Sequence, residues 1–486
     1  MPRPTREWQR RGFAAAGYPT TLSSDLGSKL HQFLDYYAGF IHDDFRVSAK
    51  LTLNLGLRYE YETGLRARDN ALIVGFDRTV VPGPGMRGGV MYAGTNGYPT
   101  QTGNLTAVKL SPRLGMAYAM SSRMTVRAGY GLFWAPIPYS LQTPIGFRQN
   151  NSLPSSLDGD ATPAVMLDNP YPNGLLVPVG GSLGYMAGAG TSVTVIDQER
   201  RSPMVHQYSF DVQREVGWGT TVAVGYVGSL GRQMVLGMGA VNINQLAPEH
   251  LSAGAALNST VANPFYQAGG PGLVGARNIS LSQSLRPFPQ FTSVNLNNVD
   301  QNQSRYDSLV VKGQKRATDG LSFVATWTWS KFMDASFGGP GNNLNTGGGV
   351  QDTYNLHDEY ALSIVHAPHR LAAGATYELP FGRGKTTMAS SRILDAVAGG
   401  WSLNAISVFQ SGFPLAIRQQ SNNNSVIGRL NQRPNATGVP PEVEGSFAQR
   451  LDGWVNPAAF SQAPTFTFGN VSRTISMRGP GQASWT

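Results

Sequence analysis

Leu51 to Glu62 reads LTLNLGLRYEYE, with Leu51, Leu53, Leu55, Leu57, Tyr59 and Tyr61 at the odd positions. Thr52, Asn54, Gly56, Arg58, Glu60 and Glu62 fill the even ones. Side chains of a β-strand alternate between its two faces, so the pattern gives one apolar face and one polar face. The alternation is unbroken for 12 residues, whereas an ordinary strand runs about 5–6 residues. At roughly 3.3 Å per residue such a strand is about 40 Å long, and a tilt of about 45° leaves a rise of roughly 28 Å. That rise matches the hydrocarbon thickness of a bilayer, about 30 Å. The pattern predicts one stave of a transmembrane barrel.

A weak internal repeat carries the same pattern along the chain, with about 70–100 residues between starts. Each unit reads as strand, tight turn, strand and a long polar connection. The first enters at Tyr36-Tyr37, turns at Ser48-Ala49 and leaves along Leu51–Glu62. The second places Leu114, Met116, Tyr118 and Met120 on one face, turns at Ser121-Ser122, and returns with Met124, Val126, Ala128, Tyr130, Leu132 and Trp134. The third carries Tyr208, Phe210 and Val212, turns near Gly217-Trp218-Gly219, and returns with Val222, Val224 and Tyr226. The fourth runs from Tyr306 to Arg316 into Thr318-Asp319-Gly320, where Asp-Gly is a strong hairpin signal. It returns with Leu321, Phe323, Ala325, Trp327 and Trp329 on one face. The fifth places Leu371, Ala373, Ala375, Tyr377 and Leu379 together and, after a longer turn, returns from Trp401 to Phe409.

The units are joined by long connections over residues 62–111, 135–204, 229–304, 333–368 and 411–470. Loops beyond about 12–15 residues are uncommon in compact domains. Outer-membrane barrels have this asymmetry, with short periplasmic turns and long extracellular loops. Tyr36, Tyr37, Tyr59, Tyr61, Tyr130, Trp134, Trp327 and Trp329 are expected at the long-loop ends of their strands, and Trp218, Tyr377 and Trp401 at the short-turn ends. Amphipathic rings favour such a pair of girdles at the two membrane–water interfaces.

Composition agrees with this picture. Charged residues are 14% and glycines number 58 in 486 residues, against roughly 25% charged and about 7% Gly in soluble domains. No run of about 18 apolar residues occurs, so no membrane-spanning helix is predicted. Cysteine is absent, which removes disulfides and thiolate metal sites. The net charge of +9 raises nucleic acid as a partner, but the Arg and Lys are scattered at strand ends and turns, and nucleic-acid binding is not expected. The N-terminus, MPRPTREWQRRGFAAAGYP, is basic without the apolar core of about 7–15 residues that an export signal needs.

Seven segments in order resemble the Oar-like TonB-dependent receptors, large outer-membrane barrels that carry a carboxypeptidase-regulatory-like domain. YYAGFIHDDFRVSAKLTLNLGLRYEYETG, LSPRLGMAYAMSSRMTVRAGYGLFWAP and VHQYSFDVQREVGWGTTVAVGYVGSLGRQM are similar to hairpins of that family. VANPFYQAG, SRYDSLVVKGQKRATDGLSFVATWTWSKFMD, APHRLAAGATYELPFGRGK and GGWSLNAISVFQSGFPLAI also have counterparts in the same order. The resemblance covers residues 36 to about 480 and is loose inside the long connections. It implies an all-β fold, a partial antiparallel transmembrane β-barrel with long extracellular loops and short periplasmic turns. Residues 36–486 form the receptor-like barrel, and residues 1–35 stay unassigned. No plug or TonB-contacting segment is recognisable before Tyr36, and MRGPGQASWT resembles the start of a family strand pair, so the chain is expected to be an incomplete barrel.

Enzymatic chemistry is not expected, and neither catalytic, cofactor nor metal residues are assigned. PFGRGKTT at 380–387 has Leu379 where a phosphate-binding loop needs its first glycine, and reads as a turn between strands. His366 and His369, with His357, Asp358 and Glu359 nearby, lack helical spacing for a metal site. No serine sits in a G-x-S-x-G elbow, and GGPGNNLNTGGG at 338–349 is a low-complexity surface loop. The resemblance implies TonB-driven uptake of an unidentified extracellular ligand, with outer-membrane lipid around the wall and the TonB complex acting through a plug region. A surface structural or adhesion protein anchored by the barrel is the alternative, and a soluble secreted β-repeat protein is a third. The ligand and its contact residues are unknown from sequence, because specificity lies in the loops.

Overall fold

The computed structural model describes residues 22–27, 30–136, 144–153, 165, 168–236, 241–297, 299–318, 320–335, 349–381, 396, 400–420, 422–428, 432–451 and 453–486. Its main element is a 12-stranded sheet. In chain order the strands are β1 (Tyr36–Arg46), β2 (Leu51–Glu62), β3 (Val108–Ser121), β4 (Met124–Trp134), β5 (Met204–Gly217) and β6 (Thr220–Met234). They continue with β7 (Asn302–Thr318), β8 (Leu321–Asp334), β9 (His369–Glu378), β10 (Ser402–Gln410) and β11 (Gln482–Trp485). The short strand Ala361–Leu362 pairs onto the end of β8. Spatial order is chain order throughout, and every pair is antiparallel. The fold is all-β and antiparallel, as expected, with its strands in meander order.

Local chemistry sets the short turns. Between β1 and β2 the Ser48 hydroxyl accepts from the amides of Lys50 (3.2 Å) and Leu51 (3.1 Å). Between β5 and β6, Trp218 and Gly219 both have positive φ, 49° and 65°, the signature of a turn that matches strand twist. The β3–β4 turn falls on Ser122-Arg123, one residue beyond the expected Ser121-Ser122. Of the expected Asp319-Gly320 turn, Asp319 lies outside the described residues, and Gly320 has φ 76°. Residues 382–387 of the phosphate-loop-like stretch and 338–348 of the glycine-rich loop also lie outside them.

Register turns the one-strand pattern into a two-faced wall. Leu55 stands opposite Leu114, Leu114 opposite Tyr130, and Tyr130 opposite Tyr208, which gives one apolar row. Gly56 stands opposite Arg113, Ala117 opposite Arg127, and Arg127 opposite Asp211 on the other face. The apolar row stays uncovered: Leu55 is 43% exposed. β1 departs from the pattern, with Asp43 opposite Leu55 and Phe40 opposite Arg58. Trp327, expected at a strand end, sits in the middle of β8.

The buried apolar core lies in the long connections, and no wall strand contributes to it among the described residues. Phe76, Val90 and Tyr92 from the first connection meet Val193 and Val195 from the second, and Phe288, Phe291 and Val294 from the third. Ser192–Ile196 pairs in parallel with Ser293–Asn297, which also pairs with Val241–Asn242. Ahead of the wall, Leu22–Gly27 pairs with Arg148–Leu153, and Gln32–Phe33 with Arg66–Ala67. The connections therefore form a cap with its own core, seated at one end of the wall.

Candidate functional site: the polar wall under its loop cap

The polar face carries a row of cations spaced by glycines. Arg58 on β2, Arg113 on β3 and Arg127 on β4 share this face because each pairs with a residue of the polar row. Gly56 and Gly115 present no side chain, which leaves an open trough between the arginines. A cavity of about 490 Å³ lies there, lined by Phe40, His42, Asn54, Gly56, Arg58 and Arg113 among others. Arg127 Nη1 donates to Gln213 Oε1 at 2.8 Å and stands 3.7 Å from the Asp211 carboxylate. The Arg113 guanidinium lies 4.9 Å from the Phe133 ring centre, a cation–π contact. Groups of this kind bind and orient anionic or hydrogen-bonding solutes.

At the loop end the same polar row passes beneath the cap, and its charges become buried pairs. Glu62 of β2 and Lys109 of β3 form an ion pair with both side chains 1% exposed. The Glu62 backbone is held in turn: its amide donates to Ala107 O (2.9 Å) and its carbonyl accepts from Asn104 Nδ2 (2.9 Å). On β8, Asp334 Oδ1 accepts from Arg473 Nη2 at 2.7 Å, and Arg473 Nε donates to Glu359 O at 2.8 Å. Burial pushes the Arg473 guanidinium pKa down, and Asp334 opposes that shift. Glu359 pairs with Arg433 at 3.1 Å and accepts from the Gln351 amide at 2.7 Å. Buried pairs of this kind contribute little net stability while intact, yet losing one partner is costly. They fix where the cap meets the wall.

Buried amides finish the cap. Asn244 Nδ2 donates to Phe288 O (3.0 Å) and Phe291 O (2.7 Å), while its Oδ1 accepts from the Phe288 amide (2.8 Å). Gln290 Nε2 reaches across to Arg87 O at 2.8 Å and Gly88 O at 3.1 Å. Irregular backbone that is buried must find partners, and these side chains supply them.

The histidines raised by the sequence stand in separate surroundings. His369 opens β9 with its ring 6.0 Å from that of Trp327 in a stacked arrangement. His357 lies in the single turn Leu356–Glu359. His366 is buried, 4% exposed, and its pKa falls to about 4 through burial, with Arg478 and Lys331 adding to the shift. Among the described residues no three His, Asp, Glu or Cys side chains converge on a point that would hold a metal ion. The ion pairs Glu62–Lys109 and Asp334–Arg473 gave no signal in the sequence, since their partners lie far apart along the chain.

Residues 12–486 match the family described as outer membrane beta barrel domain, and the chain belongs to that family. It is a protein of the bacterial outer membrane. Solved structures similar to it include the ferripyoverdine receptor of Pseudomonas aeruginosa, at 8% identity and TM-score 0.35 over 83% of this chain and 32% of that one. YddB, an outer membrane transporter from Escherichia coli, matches at 9% identity and TM-score 0.37 over 81% of this chain and 44% of its own. BauA, the ferric preacinetobactin receptor from Acinetobacter baumannii, matches at 9% identity and TM-score 0.32 over 82% and 34%. The chain thus spans between 32% and 44% of the length of these structures. No curated protein matches it.

Proposed function

We propose that this outer-membrane barrel protein provides the wall and the ligand-capturing loops of an Oar-like TonB-dependent receptor, and so serves energy-dependent uptake of a scarce solute. One observation carries the reading: the polar face bears an open, arginine-rimmed trough whose loop end is roofed by a folded cap. A wall used only as an anchor has no need of such a trough. Of the two arginines that line the trough, Arg58 is paired with Glu60, while Arg113 lies over the Phe133 ring and offers an anionic solute a cationic contact. In this reading residues 36–486 act as one unit, residues 1–35 lead into it, and the TonB complex acts through a plug-type region rather than through the wall. No catalytic step is involved.

A second reading, anchorage of an adhesive surface, draws on the cap's exposed Leu176 and Val177. One experiment separates the two. Cells with and without the protein are grown in a defined mixture of anionic solutes, with and without a protonophore, and depletion of each solute is followed by mass spectrometry. Uptake predicts a solute depleted only when both the protein and the proton gradient are present. No gradient-dependent depletion, together with lost cell attachment on removing the protein, overturns it in favour of adhesion.

A further inference from the structure

Across β6, β7 and β8 the lipid-facing side of the wall carries a cluster of charge where the apolar pattern gives none. Tyr226, Leu309 and Trp329 stand opposite one another across β6, β7 and β8 as an apolar row. The next row on that face, one step toward the loops, is Gly228, Asp307 and Lys331, and Arg305 follows one step higher on β7. A cation facing lipid costs about 2–4 kcal/mol at the bilayer midplane and about 0–1 near the interface. The row therefore lies at headgroup level, as does Trp329, 54% exposed, a residue that favours the interface. Since the long loops are extracellular, that interface is the outer leaflet.

A cavity of about 430 Å³ opens there, lined by Tyr226, Asp307, Trp329, Lys331, His366 and Pro368 among others. The Asp307 carboxylate is already engaged: the Tyr226 hydroxyl donates to it at 2.5 Å and Arg305 Nε at 2.7 Å. Lys331 is exposed and makes no side-chain hydrogen bond or ion pair among the described residues. His366 Nδ1 is buried without a hydrogen-bond partner. Arg305, beside the cavity, already neutralises Asp307, so Lys331 leaves the site net positive, beside the unpartnered His366 nitrogen and above an apolar strip formed by Leu309, Trp329 and Leu371.

We propose that this pocket docks the phosphorylated headgroup of an outer-leaflet glycolipid, with Lys331 and Arg305 as its cationic contacts. A phosphate offers only acceptor oxygens and up to two negative charges, which complements an ammonium and a guanidinium. Acyl chains attached to it would run down the apolar strip, and the cavity has room for more than a bare phosphate. The inference rests on which face meets lipid and stands whether or not the protein transports a solute.

The test uses the full 486-residue chain in phosphatidylcholine nanodiscs doped with lipid A, with dephosphorylated lipid A, or with phosphatidylglycerol. Retained lipid is counted by native mass spectrometry. Lipid A should be retained at least about tenfold over its dephosphorylated form and over phosphatidylglycerol, as expected when charge-assisted contacts are present. The double variant Lys331→Gln/Arg305→Gln should lose that preference, and Lys312→Gln, on the opposite face, should keep it. Equal retention of the phosphorylated and dephosphorylated lipids overturns the proposal, and this comparison on the unaltered protein needs no variant to fold. Equal retention of phosphatidylglycerol, or full displacement by millimolar inorganic phosphate, overturns the glycolipid assignment in favour of a general anion site.

Discussion

Placing an arginine at Leu55 tests which face of the wall meets lipid. Leu55 lies in the middle of β2, 43% exposed, opposite Leu114 on β3. A guanidinium there enters hydrocarbon, where the cost is about 2–4 kcal/mol at the midplane. Asp43 stands directly opposite on β1, and pairing with it should hold the cost of Leu55→Arg near the lower bound, about 2 kcal/mol. In an Asp43→Asn background the same change should approach the upper bound, about 4 kcal/mol. Between them these values span a drop of about 30- to 700-fold in the folding equilibrium constant. Asn54→Arg, one residue away on the polar face, should stay within about 0.5 kcal/mol, because the new side chain keeps the Asp44 carboxylate that Asn54 already bonds. The measurement is urea unfolding of the protein in liposomes, followed by tryptophan fluorescence. Equal costs for the two arginines, or no effect of removing Asp43, would refute the assignment of faces.

The junction should respond to single and double changes differently. Glu62→Met alone leaves the Lys109 ammonium buried without its carboxylate and should cost about 3–5 kcal/mol, whereas adding Lys109→Met should recover most of that loss in a thermal-unfolding cycle. Asn244→Ala strands the Phe288 amide, while the Phe288 and Phe291 carbonyls keep the Phe291 amide and Gln283 Nε2 as donors, for a loss of about 1–3 kcal/mol. It should speed hydrogen exchange across residues 241–297 while the wall strands keep their protection. His366, held neutral with a pKa of about 4 against an ordinary 6.5, adds stability that is full above about pH 6.5 and falls away as pH drops through 4. Unfolding titrations between pH 7 and 4 should show a loss on the order of 2–3 kcal/mol that His366→Gln removes.

The wall was legible because a bilayer imposes a simple rule on it. Each strand must be apolar on one side and long enough to cross, so Leu51–Glu62 announces itself without help from any other part of the chain. The rule weakens at β1, where Asp43 and Phe40 occupy the wrong faces, and there the turn at Ser48 gave the register instead. The cap was read as polar loop. Its strands, such as Ser293–Asn297 and Val241–Asn242, are too short for alternation to register, and Phe288 and Phe291 stand among Pro and Gln. Asn244 and Gln290 add to that polar composition, yet both are buried and hold backbone in place. No sequence spacing could pair Asp334 with Arg473.

Two solvents explain why the molecule divides in this way. Against lipid, burying apolar side chains gains little, so the wall depends on complete strand pairing and leaves its leucines outside. Against water, the cap must gather Phe76, Val193, Phe291 and Val294 into a core as any soluble domain does. Where the two regimes meet, neither solvent reaches the polar row, and its charges survive only as pairs such as Glu62–Lys109. A cap on flexible polar loops could drift, but one tied through such pairs has few positions available. Movement that admits a solute to the trough must then either break buried pairs, at a cost of several kcal/mol each, or take place within the cap while the pairs hold. The second route is cheaper, so under the proposed uptake the gating motion belongs in the connections above the Arg58–Arg113 trough rather than in the strands.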